Sequence, residues 1–208
     1  MAASSTYPSR CSHGDEDIAV LLRQVRSCQV CAGKLPHRPR PVVQAAADAR
    51  LVIVGQAPGS RVHASGIAWD DDSGDRLRQW TDLDNDAFYD PTQVAMIPMG
   101  FCYPGKGNSA DLPPRPECAP LWHDRLLAHL PGRRLTLLVG FHAQRHYLGA
   151  RRAPSMTETV RQFRAYLPDY LPLPHPSWRS TLWMKRNPWF VEDVVPALRA
   201  AVKAALGR

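Results

Sequence analysis

The chain has 208 residues, enough for one domain with a well-buried core. Its 26 Lys and Arg outnumber 19 Asp and Glu, giving a formal charge of +7 that suits a polyanionic partner. No apolar run of 18 residues is present, which argues against a membrane-spanning helix, and twenty prolines, roughly twice the usual 5 %, predict stiff connections at 36–41, 113–120 and 168–176.

Residues 1–14, with Cys11, read as a disordered tail without the apolar stretch of a secretory leader, and 15–208 read as one domain. The expectation is a cytoplasmic, soluble monomer whose thiols start out reduced. "DEDIAVLLRQVRSC" (15–28) carries acids at its front, bases at its end and Ile18, Leu21, Leu22 and Val25 at helical spacing. Strands are predicted at 51–54, 94–98, 135–139 and 171–174, and further helices at 74–81, 117–130, 141–149, 156–166 and 188–206. The run Leu51-Val52-Ile53-Val54 is that of a strand buried on both faces. This alternation predicts an α/β fold: a single three-layer domain with a central, mainly parallel four-stranded sheet flanked by helices. Ligands in such folds bind beyond the carboxyl ends of the strands. The informative segments are therefore "GQAPG" (55–59), "MGFCYPG" (99–105), "GFHAQ" (140–144) and "HPSWRS" (175–180).

Four of the five cysteines fall in two pairs: Cys28 and Cys31 as C-x-x-C at the end of the first helix, and Cys102 and Cys118 around a Gly- and Pro-rich loop. The C-x-x-C does not follow a strand, which argues against a thioredoxin-like redox motif. Four thiolates in two groups suit either a tetrahedral zinc site or a [4Fe–4S] cluster, and spacing alone does not choose between them.

Taken in order, these motifs resemble the uracil-DNA glycosylase superfamily, closest to its iron–sulfur families 4 and 5. Gly55-Gln56-Ala57-Pro58-Gly59 matches a "GEAPG" turn, and Gly66-Ile67-Ala68-Trp69 begins eleven residues on, where "GRPF" begins in family 4. Cys102 and Cys118 keep the sixteen-residue cysteine spacing, "LLVGFHAQ" is similar to the strand and turn that follow, and His175-Pro176-Ser177 is similar to the late "HPS". The resemblance spans about residues 26–180.

It implies a monofunctional enzyme that hydrolyses the N-glycosidic bond of uracil, or of another deaminated base, in DNA. It also implies a [4Fe–4S] cluster on Cys28, Cys31, Cys102 and Cys118, zinc being the alternative. Gly55, Ala57, Pro58 and Gly59 would floor the pocket, Trp69 would stack on the base, and His175 would stabilise the leaving uracil. Ser177, Trp178, Arg179, Lys185 and Arg186 would face DNA, Trp178 as a wedge.

Two positions depart from the pattern. Family 4 has Glu where this chain has Gln56, which can orient a water but cannot take its proton; Asp71 or Asp72 in "WDDDSGDRLRQW" are candidate substitutes, or else they cap a helix starting near Ser73. Family 4 has an Asn where this chain has Pro98, leaving Asn108 and the backbone of 99–101 to read the base edge. The rival reading is a catalytically weak DNA-damage-binding protein of the same fold.

Overall fold

The structure is a computed structural model and describes residues 17–208; the tail expected at 1–14 and Cys11 lie outside the described residues. Four strands, β1 (Leu51–Val54), β2 (Val94–Met96), β3 (Leu135–Val139) and β4 (Tyr170–Leu173), form one sheet in the order β2-β1-β3-β4. Every neighbouring pair is parallel, so the sheet is wholly and not just mainly parallel. Register pairs Leu51 with Val94 and Leu135, and Thr136 with Tyr170.

Strand pleating sorts the core into two faces. Leu51, Ile53, Met96, Leu137 and Leu173 pack with α3 (Asp72–Thr81), α4 (Asn85–Tyr89), α7 (Met156–Arg161) and α9 (Val195–Ala205). Val52, Val54, Ala95 and Leu138 pack with α1 (Ile18–Arg26), α5 (Cys118–Ala128) and α6 (Phe141–Leu148). Helices cover both faces, which gives the three layers the alternation predicts.

Three short helices were not foreseen: α2 (Ser60–Ser65), α4, and α8 (Ser180–Arg186) in the segment read as a DNA-facing loop. The last helix also differs. It opens as a π-helical turn, Phe190–Val194, and continues as α9 with Pro196 in the first turn of the α-helical part. No helix among the described residues is long and apolar enough to cross a membrane.

Candidate active site

A cavity of about 600 Å³ opens beyond the carboxyl ends of β1 and β4, lined by Gly55–Gly59, Trp69, Asp71, Pro98, Asp111 and the turn that carries His175. The turn after β1 forms its floor. Met99 N–H donates to Gly55 O and Gly100 N–H to Gln56 O, both at 2.9 Å, so the floor is pinned to the segment leaving β2.

Trp69 forms one wall. A Cβ added to Gly55 would stand 2.7 Å from the Trp69 indole, so the glycine lets the ring lie against the turn. Trp69 itself has φ 58, in the left-handed region that costs a bulky residue of order 1–3 kcal/mol. The surroundings hold it there: Tyr89 Oη donates to Trp69 O at 3.3 Å, and Arg78 Nη1 donates to Tyr89 Oη at 2.9 Å. Gly74 is required beside it, since a Cβ at 74 would sit 1.7 Å from Trp69 O.

His175 follows β4 and stands across the cavity, its ring centroid 6.1 Å from that of Trp69 at a 35° tilt. Burial lowers its pKa, while the Asp71 and Asp111 carboxylates act in the opposite sense. The imidazole is accordingly neutral at pH 7 and has one N–H to donate. Its turn is held from below by Arg76 of α3, whose Nη1 donates to Ser177 O (2.6 Å) and Ser180 Oγ (2.8 Å). Arg76 was missed in the sequence, because nothing local links it to a turn a hundred residues on.

The acidic segment divides its work. Asp71 is the N-cap of α3: its Oδ1 accepts from Gly74 N–H at 2.9 Å while the residue still lines the cavity. Asp72 is exposed and pairs with Arg61 at 2.7 Å, outside the cavity lining, which corrects its candidacy. Asn108 is likewise exposed at the tip of a small hairpin and does not line the cavity, whereas Ser109, Ala110, Asp111 and Leu112 of that hairpin do. Pro98 lines it as well, and its carbonyl is bonded at 3.0 Å by Nε2 of the buried His123, whose Nδ1 meets Tyr147 Oη at 2.7 Å.

At the mouth, Ser177, Trp178 and Arg179 belong to the lining. Trp178 is 69 % exposed, with the Arg179 guanidinium 4.8 Å from its ring centroid. Arg179 Nη2 also donates to Ser109 O at 3.1 Å, tying the hairpin to this turn. Lys185 and Arg186 are exposed in the last turn of α8 and lie outside the lining. Trp183 packs edge-on against Trp189 and Phe190 and belongs to the core.

The cysteines gather on the other side of the sheet, where α1 and α5 pack together. Cys31 and Cys102 are buried, Cys28 and Cys118 partly so, and all four are free thiols. Each of the other three acts electrostatically on Cys102. Burial pushes the Cys102 thiol up to about 12 and that of Cys118 up to about 11, opposed in part by the backbone at Arg40 and at Phe101. Among the described residues, no three His, Cys, Asp or Glu side chains are placed to hold a single metal ion.

A doubly covered parallel sheet with a cavity at its strand ends, lined by an aromatic and a histidine, is the site architecture of a ligand-binding α/β fold. The sequence places it within that class: residues 42–199 match the model of the Uracil DNA glycosylase superfamily, and the chain belongs to that superfamily. The superfamily acts on DNA, removing uracil or other deaminated bases.

Proposed function

We propose that the protein is a monofunctional uracil-DNA glycosylase that hydrolyses the bond between base and C1′ and leaves an abasic site. The observation that carries this is the facing pair Trp69 and His175 across the cavity. A flipped uracil stacked on the indole brings its O2 toward the imidazole N–H. As the glycosidic bond lengthens, negative charge gathers on O2, and the donor stabilises the transition state more than the ground state. Asp71, fixed at the head of α3 by its bond from Gly74 N–H, faces the positive charge that develops on the sugar, and Gln56 orients the attacking water. Among the described residues no lysine lines the cavity, which supports attack by water over a Schiff base.

The partner is DNA carrying uracil or another deaminated base, and the protein acts as a cytoplasmic monomer. Trp178 enters the duplex at the vacated position, while Arg179, Lys185 and Arg186 meet phosphates. Four thiols in two pairs within mutual electrostatic reach, Cys28, Cys31, Cys102 and Cys118, support a [4Fe–4S] cluster as the occupant. When bound, the cluster would cross-link α1, the segment after β2 and α5 behind the site; zinc is the alternative occupant. Iron and acid-labile sulfide in the purified protein, lost in Cys102→Ser, would support the cluster, and zinc in their place would reject it.

The rival, a damage-binding protein with little turnover, is favoured by Gln56 and Pro98, which remove a proton acceptor and a base-reading side chain. A panel of oligonucleotides with uracil, hypoxanthine or xanthine decides between them. Excision of at least one base supports the enzyme, and tight binding without excision supports the rival.

A further inference from the structure

The glycosylase reading leaves one part of the reaction without a group to perform it. Gln56 cannot accept a proton, Asp72 is turned outward to Arg61, and Asp71 has committed one oxygen to the first turn of α3. The bond from Gly74 N–H fixes Asp71 at the head of α3, so the side chain suits a positioning role better than that of the group that takes up a proton.

A second carboxylate enters the cavity from elsewhere in the chain. The segment between Cys102 and Cys118 folds as a small hairpin: Gly107 N–H donates to Ala110 O (2.7 Å) and Leu112 N–H to Gly105 O (2.9 Å), with Lys106 and Asp111 bridged. Gly105 makes the turn possible with φ +100, where a Cβ would also strike Pro36 at 2.7 Å. Arg179 holds the far side of the hairpin through Ser109 O. This folding brings Asp111 to the cavity lining.

Its placement there is specific. A Cβ built on Gly59 would stand 3.7 Å from Asp111 Oδ2 and 3.9 Å from Asp71 Oδ2, so both carboxylates approach one point above the pocket floor. Gly59, lacking a side chain, leaves that point open. The other oxygen of Asp111 takes a long contact from Tyr103 Oη, at 3.4 Å, and the Asp111 side chain is otherwise open to solvent. Asp111 and Asp71 both act on the imidazole of His175 from this side.

We propose that Asp111 is the proton acceptor of the site, holding the attacking water above Gly59 and taking its proton as the glycosidic bond breaks. The water oxygen forms the new bond to C1′. The C1′–N bond breaks with its electron pair on the base, where the His175 hydrogen bond stabilises it. The water proton passes to Asp111 and from there to solvent or to the released base. Asp71 keeps its bond from Gly74 N–H at the cavity wall throughout. Two carboxylates thus divide the work that a single Glu would do at position 56, and Asp111 does so from a loop that no motif marks.

The test is single-turnover excision by the wild-type protein, Asp111→Asn and Asp111→Glu, with affinity measured on a duplex carrying a non-hydrolysable 2′-fluoro-deoxyuridine. General-base loss costs on the order of 10²–10⁴ in rate. We expect Asp111→Asn to excise at least about 100-fold more slowly with affinity within about threefold of wild type, and Asp111→Glu to keep most of the rate. Excision by Asp111→Asn at the wild-type rate overturns the inference and leaves the glycosylase reading standing. A loss of rate matched by a loss of affinity, or shared by Asp111→Glu, makes the residue structural and also overturns it. A wild-type protein that excises nothing overturns the underlying reading itself.

Discussion

The indole of Trp69 lies against the bare Cα of Gly55, leaving 2.7 Å where a Cβ would stand. The two residues are fourteen apart in sequence, yet neither can be placed without the other. The left-handed backbone at Trp69 and the glycine at 55 together set the width of the slot in which a base would lie.

Gly55→Ala therefore forces the indole out of place. Overpacking of this kind costs about 1–3 kcal/mol. The expected result is a lower denaturation midpoint together with a larger loss in affinity for uracil-containing DNA than for an abasic duplex. A variant with unchanged affinity for both would show that the ring moves freely.

Trp178 offers a different readout because it is exposed and lies at the mouth of the cavity. If it fills the gap left by a flipped nucleotide, Trp178→Ala slows excision from duplex DNA by about tenfold or more, equivalent to ~1.4 kcal/mol. Excision from single strands, which have no stack to open, stays within about threefold. Equal losses on both substrates would place Trp178 in base binding instead.

His123 predicts how stability follows pH. Burial lowers its pKa to about 4 from the ordinary 6.5, with His146 adding to the effect and both Asp124 and the bond to Pro98 opposing it. The unfolded chain thus binds the proton more readily than the folded one. Stability from this group is complete above pH 6.5 and is lost as pH falls toward 4, by roughly 3 kcal/mol. Urea midpoints measured across that range should fall steeply for the wild type and less for His123→Gln. Parallel pH profiles for the two proteins would contradict the assignment.

The sequence shows the sheet clearly because Leu51–Val54 is an unbroken apolar run and Leu135–Val139 is interrupted only by Thr136, both are buried on both faces, and the turns after them begin with glycine. Of the site, Gly55–Gly59 and His175 were legible as strand-end residues, Trp69 through the family resemblance and Asp71 as one of a run of acids, and all of them line one cavity. Asp111 and Arg76 were not. Each reaches the site through a fold of the chain, a hairpin in one case and a helix face in the other, and neither leaves a local signature. The helices α2 and α4 escaped for a related reason: six and five residues are too few to show a helical period. Asp72 and Asn108 were misplaced because adjacent polar residues in a turn or a helix's first turn point in different directions, and spacing does not say which one faces inward.

The central claim is that His175 and the cavity it faces break the bond to a deaminated base. Its most direct test compares the wild-type protein with His175→Ala on oligonucleotides carrying a single uracil, under enzyme excess, with alkaline cleavage of the product reporting abasic sites. The account predicts excision by the wild type and a rate lower by about 10²–10³ in the variant, the cost of removing one donor from developing negative charge. Uracil left intact by the wild-type protein, or removed equally fast by His175→Ala, would contradict it.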